Sequence, residues 1–279
     1  DQVDALVSDD AAATLEQLKP DVVLHATGSS LAGVRSQLEQ IANAGANIVS
    51  TCEELSFPWS AQPRMAAELD AIARRAGVTM LGTGINPGYA MDALPLTLTA
   101  PCVAVRSVRV LRVVDAAKRR GPLQRKVGAG LTQEAFAARV ADGSVRHVGL
   151  PESLHMLATG LGWQLERTED LIEAVPAEQP ITTDVVSVQA GQVAGVRQVA
   201  RGFVGGREVI TLELRMYVGA SDPQDTITID GDPPVHMTIA GGLHGDLATA
   251  AVIVNAVPSV LHAQPGLASM RDIPMVHFR

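Results

Sequence analysis

Apolar positions in the first hundred residues follow two alternating rhythms. Leu15 and Leu18 follow Asp9 and Asp10 at helical spacing, and Pro20 closes that stretch. Asp21 to His25 is then a short valine- and leucine-rich run, the pattern of a buried strand. Leu31, Val34, Leu38 and Ile41 recur every three or four residues until Gly45, and Asn47 to Thr51 is the next strand. Met65, Leu69 and Ile72 mark a third helix within Pro63 to Ala76, Gly77 ends it, and Val78 to Leu81 is a third strand. Strands alternating with amphipathic helices predict right-handed βαβ units on a parallel sheet.

From Val105 onward the rhythm changes. Long β-prone runs such as Val105 to Val114 and Val209 to Val218 are separated by Gly-rich turns, which predicts an antiparallel or mixed sheet. Helices are expected at Thr132 to Ala141, Pro151 to Leu161 and Asp246 to Leu261. The expected fold class is α/β: a Rossmann-type parallel sheet in residues 1–100 and an α+β domain with an open mixed sheet in 101–245. The remaining 246–279 would form a C-terminal helix packing back on the first domain. No internal repeat or low-complexity segment suggests a solenoid.

Composition supports a folded chain, with 47% hydrophobic and 19% charged residues over 279 positions. A formal net charge of −8 argues against a nucleic-acid partner, since phosphate binding needs clustered cations. The basic cluster of Lys118 to Arg120 with Arg125 and Lys126 reads as solvated surface. Cys52 and Cys102 make neither a disulfide framework nor a zinc spacing, so no metal is expected and a reducing cytoplasm fits. No apolar stretch approaches the roughly 20 residues of a membrane span, and Asp1-Gln2-Val3-Asp4 does not open a secretory leader.

In doubly wound sheets ligands bind outside the carboxyl ends of the strands, so the loops there carry the chemistry. Ala26-Thr27-Gly28-Ser29-Ser30 is small and hydroxyl-bearing, suited to close approach of a cofactor or to an ordinary helix cap. Ser50 to Trp59 places two carboxylates, Glu53 and Glu54, ahead of an aromatic segment, where one can act as a general base beside an apolar pocket. Gly82-Thr83-Gly84-Ile85-Asn86-Pro87-Gly88-Tyr89 lets the backbone pass near a flat ring or an amide, with Asn86 able to donate and accept. A helix-opening Gly-x-Gly-x-x-Gly is missing from the chain, as expected of a Rossmann half that lacks its start. His155 and His244 read as surface or satisfied core residues.

Taken together, Val23 to Ser30, Ser50-Thr51-Cys52-Glu53-Glu54-Leu55, and Gly82 through Tyr89-Ala90-Met91-Asp92 resemble the 2,4-diaminopentanoate dehydrogenase family. Its relatives are the native amine dehydrogenases, often grouped as dihydrodipicolinate reductase-like. The resemblance runs over most of the chain. It implies reversible oxidation of a primary amine by NAD or NADP to a ketone or aldehyde and ammonia. It implies that Glu54, or its neighbour Glu53, is the acid/base, that Thr27, Gly28, Ser29, Cys52, Asn86 and Pro87 meet the cofactor, and that Tyr89, Met156 and Trp163 line the substrate pocket. It also implies a glycine-rich stretch ahead of Asp1, about half a Rossmann domain.

Other readings compete with this one. A true dihydrodipicolinate reductase would carry a paired-histidine motif, and no His-His occurs here. An imine or carbonyl reductase of that broader type is the first alternative. A Cys52-dependent aldehyde dehydrogenase would need a histidine base, and a non-enzymatic binding module would have lost its cofactor site. A homodimer is the expected assembly, formed through an apolar face of the second sheet.

Overall fold

The computed structural model describes residues 7–119 and 121–278. The segment Asp1 to Asp4 and Arg120 of the basic cluster lie outside the described residues. The chain divides into two compact units, one formed by residues up to Gly84 together with Thr249 onward, the other by Ile85–Ala248.

In the first unit α1 (Ala11–Leu18) starts where Asp10 accepts a hydrogen bond from the Ala13 N–H, and it ends at Lys19 in left-handed geometry. Strand β1 (Val22–His25) leads to α2 (Leu31–Asn43), whose Leu31, Val34, Leu38 and Ile41 are buried on one face. Strand β2 (Asn47–Ser50) is followed by a short 3₁₀ turn, Glu53–Leu55. Helix α3 (Pro63–Ala76) opens on a proline and stops at Gly77, where φ is 71°. Strand β3 (Thr79–Gly82) is buried along its whole length. Leu31, Leu38 and Leu69 have no exposed surface, each worth about 1.5–3 kcal/mol relative to solvent exposure.

The second unit begins with α4 (Ala93–Leu98) and β4 (Ala104–Asp115), then α5 (Gly121–Lys126), α6 (Gln133–Ala141) and α7 (Leu150–Gly160). Strands β5 (Arg167–Pro176), β6 (Ile181–Thr182), β7 (Ser187–Val188), β8 (Val193–Val204), β9 (Arg207–Tyr217), β10 (Gln224–Asp232) and β11 (Val235–Ala240) follow. Helix α8 (Gly245–Leu261) carries the chain back to the first unit, where β12 (Gly266–Ala268) closes the fold.

The first sheet has the order β1-β2-β3-β12 and is parallel throughout, as βαβ units require. On one side of it lies a core containing Leu31, Leu38, Ile48 and Leu69; on the other, Ile253, Ala256 and Val260 of α8 pack with Val49 and Leu81. The six-stranded sheet has the order β11-β10-β4-β9-β8-β5 and is mixed, because β4 runs parallel to β9 while its other pairs are antiparallel.

Two expectations change. The seam falls after Gly84 rather than at Pro101, because Ile85, Ala90 and Met91 are buried in the core of the second unit with Val108 and Leu154. The solvent face of the six-stranded sheet is laced with charge rather than apolar: Arg197 pairs with Glu173 and Glu213, and Glu213 also with Arg215. Among the described residues no helix is long and apolar enough to cross a membrane.

Candidate active site

Because β1, β2 and β3 are parallel, their carboxyl ends at His25, Ser50 and Gly82 share one edge of the first sheet. The loops leaving that edge are tied together. Glu54 N–H and the Cys52 thiol both donate to the Ser29 carbonyl, at 3.3 Å each. Thr83 N–H donates to the Ser50 carbonyl at 2.8 Å. Gly82 has to be a glycine, since a Cβ there would lie 2.4 Å from the Leu55 carbonyl carbon. The sheet and the Glu53–Leu55 turn are thus in backbone contact, which fixes where the two carboxylates begin.

The two glutamates are held differently. Glu54 Oε2 accepts from the Leu31 N–H at 2.7 Å and from Gln62 Nε2 at 2.8 Å. The first of these is a helix cap: Ser30 occupies the N-cap position of α2 but makes no side-chain cap bond, and Glu54 supplies the missing acceptor across the loops. Both bonds fall on one oxygen, so the carboxylate is oriented while Oε1 stays available. The resemblance favoured Glu54 over Glu53 only narrowly; the third residue of this group, Gln62, carried no signal that would have singled it out.

Beneath the loops lies a polar network that sequence reasoning missed. His25 is 5% exposed, with Nδ1 2.8 Å from Ser50 Oγ and Nε2 2.9 Å from Gln37 Oε1 and 2.8 Å from Thr27 Oγ1. Thr27 Oγ1 also donates to Gln37 Oε1 at 2.6 Å, and Ser50 Oγ accepts from the Cys52 N–H at 3.0 Å. A histidine closing a short apolar run just before a ligand-side loop was the available clue. Ala26, Thr27 and Gly28 stand exposed above this network, leaving their backbone accessible. Thr83 Oγ1, at the end of β3, is buried without a hydrogen-bond partner among the described residues.

Cys52 does not fit the nucleophile reading. It is 1% exposed, and burial, helped by the nearby charges of Glu53 and Glu54, pushes its thiol up to about 12. A protonated thiol that spends its hydrogen on Ser29 is packing beneath the loop, neither an attacking group nor a surface for a cofactor.

In the second unit the Asn86 to Asp92 loop is clamped at several points. Asp92 has no exposed surface, and its carboxylate accepts from the Gly88 N–H at 2.7 Å, the Ala93 N–H at 2.6 Å and Ser153 Oγ at 2.7 Å. Burial raises its pKa against the pull of those bonds. Gly88 adopts φ 120°, a conformation that favours glycine. Asn86 meets His147, a residue sequence reasoning passed over. Tyr89 and Trp163 pack partly buried against the core of this unit, keeping some surface for a ligand. Met156, at 1% exposure, offers almost none and is a core residue. His155 is partly buried, and burial lowers its pKa, while His244 Nδ1 accepts from the Leu247 N–H at 3.5 Å.

Comparisons with known proteins bear on the whole chain. A 2,4-diaminopentanoate dehydrogenase of Acetoanaerobium sticklandii is 32% identical over 269 residues, covering 91% of this chain and 74% of the relative. An amine dehydrogenase of Streptomyces virginiae is 23% identical over 238 residues, covering 77% of this chain and 66% of the relative. The solved structure of an amine dehydrogenase from Mycobacterium smegmatis superposes with a TM-score of 0.87 at 25% identity, covering all of this chain and 83% of that one. The family model of the 2,4-diaminopentanoate dehydrogenase C-terminal domain matches residues 89–278, and with that match and the 32% identity the chain belongs to the 2,4-diaminopentanoate dehydrogenase family.

Proposed function

We propose that the protein is an NAD(P)-dependent amine dehydrogenase that interconverts a primary amine with a small ketone or aldehyde and ammonia. The observation that carries this reading, beyond family membership, is the Glu54 carboxylate: it stands at the ligand-side edge of a parallel sheet, oriented through Oε2 by two donors and free at Oε1. In the reductive direction Oε1 takes a proton from ammonium, releasing ammonia to add to the carbonyl carbon. The same group returns a proton to the carbinolamine hydroxyl, which leaves as water and yields the iminium ion. Retained as a carboxylate, Glu54 then stabilises the iminium charge.

The residues present suit a dinucleotide. Thr27 and Gly28 expose backbone at the end of β1, with Ser29 beside them, and the unpartnered Thr83 hydroxyl marks an unmet hydrogen bond at the end of β3. When bound, the nicotinamide accepts or supplies the hydride. Asn86 and Pro87 are assigned to the cofactor, and Tyr89 and Trp163 to the substrate, on the resemblance alone. A cytoplasmic homodimer completes the reading; the charged face of the second sheet would then meet its symmetry mate through reciprocal ion pairs.

The test is NADH and NADPH consumption with a panel of small ketones and aldehydes, each with and without ammonium. Strictly ammonium-dependent consumption is expected. Ammonium-independent turnover would replace the reading with a carbonyl or imine reductase, and no turnover with any member of the panel would count against an enzyme of this class. Light scattering on the same preparation is expected to give twice 29.2 kDa.

A further inference from the structure

His147 Nε2 lies 3.1 Å from Asn86 Nδ2 and 3.2 Å from the Asn86 carbonyl oxygen. One ring nitrogen cannot accept from the amide and donate to the carbonyl at once, so the two distances correspond to two tautomers. With the proton on Nδ1, Nε2 accepts from Asn86 Nδ2. With the proton on Nε2, the ring donates to the Asn86 carbonyl and its N–H faces the amide N–H.

A second observation concerns the Asn86 amide itself. Asn86 Oδ1 is buried and has no hydrogen-bond partner among the described residues, whereas buried carbonyls nearly always find a donor. With Nε2 as acceptor the amide is held by its nitrogen end, and its oxygen end is left without a donor from the protein. The main chain of His147 is fixed from behind: its N–H donates to Gln198 Oε1 at 2.8 Å, and Gln198 Nε2 donates to the His147 carbonyl at 3.3 Å and to Asp170 Oδ1 at 2.8 Å. Burial, reinforced by the positive charge of Lys126, lowers the imidazole to about 4, so it is neutral and can accept at ordinary pH. His147 keeps some exposed surface, but protein atoms crowd it closely enough for burial to dominate.

We propose that His147 is a positioning residue: as the Nδ1–H tautomer it holds Asn86 by Nδ2 and so presents Asn86 Oδ1 as the acceptor for an N–H donor of a bound ligand. The identity of that ligand rests on the proposed function, under which a primary amine and a nicotinamide carboxamide both carry such a donor. The shared chemistry is a neutral or cationic N–H meeting an amide oxygen that the protein leaves without a donor of its own.

The test has an arm that needs no activity. Long-range proton–nitrogen spectra of the imidazole rings are expected to contain one Nδ1–H pattern that disappears in His147→Gln and whose Nε2 resonance moves in Asn86→Ala. An Nε2–H tautomer overturns the inference whatever the enzyme does. The second arm compares His147→Phe, which has no acceptor, with His147→Gln, which keeps one in Oε1. His147→Phe is expected to weaken ligand binding about tenfold, the scale of one lost hydrogen bond, with kcat less affected and most of the loss restored by His147→Gln. An increase confined to the amine KM identifies the amine as donor, and one confined to the NAD(P)H Kd identifies the carboxamide. Equal weakening by Phe and Gln, or none by either, overturns the positioning role. Absence of turnover in the wild-type protein would sink the proposed function while the spectra still decide this inference.

Discussion

At the scale of single residues, Glu54 has two separable tasks. Glutamine keeps an oxygen for the Leu31 N–H but loses the carboxylate, so Glu54→Gln is expected to lower kcat by about 10²- to 10⁴-fold, the usual contribution of an acid/base group, with little change in melting temperature. Glu54→Ala also removes the cap of α2 and is expected to cost a further ~0.5–2 kcal/mol in urea unfolding. If Glu54→Gln retained full turnover, the acid/base role would pass to Glu53 or elsewhere. Cys52 gives the opposite expectation. With its thiol near 12, it stays protonated through pH 8, so Cys52→Ser should keep most turnover and iodoacetamide should alkylate the folded protein slowly. Rapid alkylation with loss of activity would restore the thiol mechanism. The loop carrying Glu53 and Glu54 was legible in the sequence because strand ends are where parallel sheets bind ligands. The distinction between the two was not, because it depends on Leu31 and Gln62, which reach Glu54 only in three dimensions.

At the scale of elements, legibility followed the strength of the repeating pattern. Helices α2 and α3 and strands β1 to β3 lie within a residue or two of where the apolar spacing puts them, because each buries one face of a regular period. The short helices α4 and α5 and the three-residue β12 have too few turns or alternations to show a period. The parallel pairing of β4 with β9 leaves no local trace, since it joins segments far apart in the chain. One device holding that sheet is a buried ion pair. Arg112 Nη1 donates to both Asp225 oxygens at 2.8 Å, Arg112 Nη2 donates to the Leu243 carbonyl at 2.6 Å, and Leu243 N–H returns to Asp225 Oδ2 at 2.8 Å. Both side chains are 3% exposed, so this cluster fastens β4 to β10 and to the segment leading into α8. Removing one charge strands the other: Asp225→Asn is expected to cost about 3–5 kcal/mol in urea unfolding. The double variant Arg112→Met with Asp225→Leu should lie closer to wild type than Asp225→Asn. A double variant as unstable as the single one would mean that packing, not the stranded charge, sets the cost.

For the molecule as a whole, acidification brings together contributions of opposite sign. For Asp272, burial works against ionisation, but the Ser269 hydroxyl and N–H outweigh it and hold the pKa below the ordinary range. Its contribution is present above the unfolded value and is lost as pH falls through the folded one. Asp92 and Asp170 run the other way. Burial raises both, so their contribution is present below the unfolded value and is lost as pH rises through the folded one. His147 acts at milder pH. Burial first, then repulsion from Lys126, Arg112 and Arg119, holds it near 4 in the folded chain, whereas an unfolded histidine takes its proton near 6.5. Between those values the unfolded state binds more protons, so unfolding free energy falls as pH drops through that window. Urea unfolding at pH 7.5 and 5.5 is therefore expected to show a larger loss for the wild-type protein than for His147→Gln, which has no proton to take up. The carboxylates are common to both proteins and cancel in the comparison. An equal loss in the two would mean that His147 is charged in the folded chain already at pH 5.5, and a cationic ring cannot accept the Asn86 amide.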